Sequence, residues 1–118
     1  LAEKKYRHFF EGRKVMYEKV EKLLKEIGGD WESYEKMEMV INHKMDNLML
    51  HFRNDFPNLK DGDYQFVICV IMGFDATTLS VIFKIPSLGA VYARKSRLKK
   101  MVSMSVSQYK DDYLLLLN

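Results

Sequence analysis

Five of the seven residues from Arg94 to Lys100 are cationic: Arg94, Lys95, Arg97, Lys99 and Lys100. Ser96 lies among them, and Tyr92 and Ala93 come just before. Guanidinium and ammonium groups at this density share one chemistry, the neutralisation of a polyanion such as nucleic acid. The window from residue 76 to residue 110 holds no Asp or Glu, and Lys84 and Lys110 bring its cations to seven. Residues 1–63 carry 12 Lys and Arg against 13 Asp and Glu, so the net charge of +3 conceals a strongly polarised chain. The competing reading is a solvated basic helix face. Turn signals beside the cluster weigh against it.

Other chemistries find little material. His8, His43 and His51 are the only histidines, and the last two, eight apart, can share a helix face. No carboxylate pair or cysteine completes a metal site with them. There is no Gly-rich phosphate loop and no nucleophile elbow. The expectation is therefore a protein with no catalytic residues, no metal, no cofactor and no small-molecule substrate. An enzyme is the least supported class.

The elements that must position the cations can be read from Asp75 to Lys100. Asp75 caps a short helix whose packed face is Leu79, Ile82 and Phe83, at i, i+3 and i+4. Pro86 stops it, having no N–H and forcing Ile85 out of the helical region. Ser87 then caps a second helix, about 88–102, with Val91, Leu98 and Val102 on its inner face. With Val91 inward, ~100° per residue puts Ala93, Ser96 and Lys100 on the opposite side, flanked by Tyr92 and Arg97. Arg94 and Lys95 fall nearer the inner seam. Two helices so arranged, the second cationic, are the helix-turn-helix that enters the DNA major groove.

The rest of the chain reads as helical support. Residues 2–27 carry Tyr6, Phe9, Met16, Val20, Leu23 and Ile27 at alternating three and four spacing, with Arg13 the polar member of the series. This narrow seam suits a coiled coil or a helix packed on the domain, closed by Gly28 and Gly29. Asp30 can cap a second helix, from Trp31 to about Asp55, with Tyr34, Met37, Ile41, Met45, Leu48 and Phe52 as its stripe and Trp31 as an anchor. A third helix, about Asp61 to Met72, is apolar from Phe66 onward and belongs at the centre of the core; Gly73 ends it in a left-handed cap with Phe74 as the accompanying contact. Cys69 reads as a buried small hydrophobe. Residues 101–106 suit either a frayed helix end or a short strand. The terminal Tyr113–Leu117 run docks in a groove of its own or a neighbouring chain, as helix or strand. No apolar segment reaches the ~20 residues that cross a bilayer. The start LAEKKYRHFF has neither an initiator Met nor a signal peptide, and suggests a cut inside a larger protein.

Laid out this way, residues 59–100 resemble the LuxR/GerE-type helix-turn-helix domain. The resemblance rests on Leu59, Gly73-Phe74, Leu79, Ile82-Phe83, Ser87, Val91, Ser96-Arg97-Leu98 and Lys99-Lys100. The KSRLKK run, with the Phe56-Pro57-Asn58-Leu59 approach and a Trp-containing helix before it, is similar to regulators that carry tetratricopeptide-type sensor segments upstream. The chain departs from the family in having Lys60 at the first cap, a turn one residue longer at Ile85-Pro86-Ser87, and Gly89 in the first turn of the reading helix. The combined expectation is an all-α protein, with a long coiled-coil-like connector over 1–29 and a compact helical bundle over 30–118 whose helix-turn-helix core is 59–104. The resemblance implies sequence-specific double-stranded DNA binding by the output domain of a cytoplasmic transcriptional regulator, acting as a homodimer. Tyr92 and Ser96 would meet base edges or phosphates, Ala93 a thymine methyl and Arg97 a guanine in bidentate fashion, while Arg94, Lys95, Lys99 and Lys100 would meet phosphates. The alternative is a protein-interaction or dimerisation module of the same fold that no longer binds DNA.

Overall fold

The computed structural model describes residues 6, 7, 11 and 31–118, with the side chains of Trp31 and Glu32 outside that description. The connector expected over 2–27, the Gly28-Gly29 stop, the Asp30 cap, His8 and the Trp31 anchor thus lie outside the described residues, apart from Tyr6, Arg7 and Glu11. The described residues are all-helical, with six helices and no strand: α1 (Trp31–Lys44), α2 (Leu48–Asp55), α3 (Asp61–Ile71), α4 (Ala76–Ile82), α5 (Leu88–Ser103) and α6 (Lys110–Leu116). None is long and apolar enough to cross a membrane.

The single helix expected from Trp31 to about Asp55 is in fact two. Asp46 and Asn47 adopt left-handed backbone angles, φ 53° and 61°, which Asp and Asn tolerate better than other side chains. Asn42 makes the break affordable: its side-chain carbonyl accepts from the N–H groups of Met49 (2.9 Å) and Leu50 (3.1 Å), two of the donors that open α2 without a helical partner. The apolar stripe crosses the break intact, with Tyr34, Met37, Ile41, Met45, Leu48 and Phe52 all buried. Arg53 fastens α2 to α1 through a two-pronged pair with Glu38 (2.6 and 2.8 Å) and lies 4.3 Å over the Tyr64 ring of α3.

α3 is the centre of the core. Every residue from Phe66 to Met72 is buried, so this helix is covered on all sides and its near-continuous apolar run is accounted for. Cys69 is among them, and burial pushes its thiol well above the usual range. Gly73, at φ 91°, closes the helix: the N–H groups of Gly73 and Phe74 reach back to the carbonyls of Val70 and Cys69, and Phe74 is buried.

The tail is helical and docks on its own chain. Tyr113, Leu116 and Leu117 are buried, and Asp55 accepts from both the Tyr113 hydroxyl (2.7 Å) and the Ser107 hydroxyl (2.5 Å). The Tyr109 ring stacks on His51 at 4.1 Å, and the Tyr6 hydroxyl donates to Asp112 (2.8 Å).

Candidate nucleic-acid interface

The cationic segment rests on two capped helices and the turn between them. Asp75 accepts from the Thr78 N–H (2.8 Å) and starts α4; Ser87 accepts from the Ala90 N–H (3.1 Å) and starts α5. Between them the structure corrects the expected stop. α4 ends at Ile82, ahead of Pro86, because Lys84 turns left-handed (φ 53°) and lets the Ile85 N–H reach the Ser80 carbonyl at 2.9 Å. Pro86 comes after the helix has already closed, and its role is to keep the chain extended into Ser87. The left-handed lysine costs about 1–2 kcal/mol, which the surrounding packing must offset.

α5 is seated by Val91, Leu98 and Val102, all buried. A second fastening comes from Arg94. Its guanidinium pairs with Asp63 (3.1 Å), donates to the Gly62 carbonyl (3.2 Å), and lies 4.5 Å from the Phe66 ring centre and 5.4 Å from that of Phe83. It therefore ties α5 to the first turn of α3 and to the end of α4. Arg94, expected to reach a phosphate, has its guanidinium paired with Asp63 and Gly62 in this structure.

The remaining cluster residues divide by the side of α5 on which they fall. Tyr92, Ala93, Ser96, Arg97 and Lys100 are exposed. Lys95 and Lys99 are half-buried. Burial, with repulsion from Lys99 second, lowers the Lys95 pKa from its ordinary value. The Lys99 ammonium donates to the Asn118 side chain (2.8 Å), linking α5 to the tail. Lys84, left-handed in its backbone, is exposed in the turn between α4 and α5.

Two features around α5 were not singled out from the sequence. Leu88 is 46% exposed, four residues before Tyr92, itself 56% exposed; Val81 on α4 is 52% exposed. Leu88 could have been noticed as an apolar residue off the Val91–Leu98–Val102 line. Asp63, the partner of Arg94, had no sequence signal, since the two are 31 positions apart.

Among the described residues no group of His, Cys, Asp or Glu could hold a metal ion, and His43 is exposed while His51 is engaged with Tyr109. A shallow cavity of about 250 Å³, lined by Asp55, Phe56, Pro57, Asn58, Leu59 and Met101, opens at the α2–α3 connection against α5. No protein-family model, curated protein or solved structure matches the chain.

Proposed function

We propose that α4, its turn and α5 form a helix-turn-helix of the LuxR/GerE type, and that the chain binds double-stranded DNA sequence-specifically as the output part of a cytoplasmic transcriptional regulator. In this reading residues 59–104 are the DNA-binding core of a domain spanning 30–118, α5 enters the major groove, and residues 1–29 join it to a second copy as a homodimer. The observation that carries the proposal is the exposure of Ala93, Ser96 and Arg97 on a helix anchored by its opposite side, within a 35-residue stretch free of acids. A helix held this way presents cations and base-sized side chains without reorganising, which suits a groove lined by phosphate.

Arg97 and Lys100 are exposed cations on α5, and Lys84 is exposed in the turn before it. At ~0.9 per phosphate neutralised, contacts by Lys84 and Lys100 give a salt slope of about −1.8 for one copy and about twice that for a dimer, Arg97 being assigned to a base edge. Fluorescence polarisation with mixed-sequence duplexes across a salt series tests this. A slope in that range supports the proposal. Absence of binding even at low salt refutes it and favours the interaction-module reading, to which exposed Leu88, Tyr92 and Val81 would then belong.

A further inference from the structure

With Val91 turned inward, the outermost line of α5 runs Gly89, Ala93, Ser96, Lys100, with Tyr92 on one flank and Arg97 on the other. All six are exposed. The line changes character halfway along the helix. Its first half, with Leu88 exposed beside Tyr92, offers methyl, methylene and ring surface, and the Tyr92 hydroxyl is its one side-chain polar group. Its second half is hydroxyl and cation.

Folding does not account for the first half. Leu88 and Tyr92 leave much of their apolar surface in water at 46% and 56% exposure. Gly89 is not needed to relieve crowding either: a Cβ there would meet only the Ser87 Oγ, at an ordinary 3.9 Å. Its φ is not positive, so the backbone makes no demand for glycine. Glycine adds nothing to helix stability relative to alanine, and no contact inside the protein calls for it here.

A recognition helix meets base edges with its N-terminal part. Among base pairs, the major-groove feature that an apolar side chain can recognise is the thymine C5-methyl group. Resting on the duplex-binding reading above, the geometry points to a half-site in which A·T pairs face the first two turns of α5. Thymine methyl groups pack against the Ala93 methyl, the Tyr92 ring and Leu88, and bare Gly89 lets the backbone approach the base edges. The cationic side chains Arg97 and Lys100 follow on the next turns.

The test uses the full 118-residue chain and a random-sequence duplex library. Retained duplexes are sequenced, resynthesised with deoxyuridine at single thymidine positions, and compared by polarisation. Deoxyuridine keeps every hydrogen-bonding group and charge and removes only the methyl. The expected result is a block of A·T pairs in which each facing replacement weakens binding about fourfold, the effect of exposing one such group. Leu88→Ala should shrink that penalty while leaving the salt slope unchanged. Gly89→Ala should raise the unfolding temperature by a few degrees yet weaken the selected duplex. Retained duplexes without an A·T block, or with full affinity after deoxyuridine replacement, overturn the inference and leave duplex binding intact. Failure to retain any duplex at low salt overturns the duplex reading itself, and this inference with it.

Discussion

Replacing Arg94 by Ala separates two roles that a cationic side chain can play on α5. In the structure its guanidinium pairs with Asp63 at 3.1 Å, donates to the Gly62 carbonyl at 3.2 Å and sits over the Phe66 and Phe83 rings. The side chains of Arg94 and Asp63 are 23% and 30% exposed, so the ion pair is partly screened and contributes no more than about 1 kcal/mol. The two ring contacts contribute about 0.5–2 kcal/mol. The sum, about 2 kcal/mol, should lower the urea midpoint by about 1 M, given a denaturant slope near ~2 kcal/mol per molar. The assay is helical circular dichroism through a urea titration of Arg94→Ala, Asp63→Ala and the double variant. The single losses should overlap, with a coupling of at least about 0.5 kcal/mol, because each removes the same contact. Salt dependence of the proposed DNA binding supplies the second readout: a strut leaves the slope unchanged, whereas a phosphate ligand takes ~0.9 from it. Unaltered melting together with a slope reduced by that amount would refute the assignment and return Arg94 to the nucleic-acid face.

Three further expectations follow from the same coordinates. Asn42→Ala should destabilise the protein by about 1–2 kcal/mol in the same urea titration, since it uncaps two N–H groups at the start of α2. Arg97→Ala should flatten the difference in affinity between a selected duplex and a mixed one. Lys100→Ala should weaken both alike; equal losses from the two variants on every sequence would make Arg97 a phosphate contact only. Burial first, and the Asp55 hydrogen bond second, raise the Tyr113 pKa; Tyr6 is raised by burial and then Asp112, and Tyr34 chiefly by burial. The unfolded chain therefore loses these phenol protons before the folded one does, so their contribution to stability is whole below ~pH 10 and declines as the pH rises above it. Urea midpoints measured from pH 8 upward should fall beyond that point, and Tyr113→Phe should reduce the fall. A flat profile would contradict the assignment.

What the sequence determined on its own is what repeats or caps locally. The Tyr34-to-Phe52 stripe, the apolar run of α3, the Asp75 and Ser87 caps and the inward Val91, Leu98 and Val102 are all where side-chain spacing and cap chemistry put them. So is the Gly73 closure, because only the nearest few residues decide it. The outward row of Tyr92, Ala93, Ser96, Arg97 and Lys100 followed from the inward one by helix geometry alone. Tertiary structure decided matters in which a distant group competes with the local rule. Asn42 stabilised a break within one uninterrupted stripe, Lys84 ended α4 before its proline, and the Tyr113–Leu117 run became a helix once Asp55 and the core were there to receive it. Arg94 and Lys95 had the same charge as Arg97 and fell near the seam. Whether such a charge faces a phosphate or a carboxylate 31 positions away depends on a meeting of helices that periodicity does not encode. Local free-energy differences of about 1 kcal/mol set caps and faces; long-range contacts of similar size then choose which charges remain for a partner.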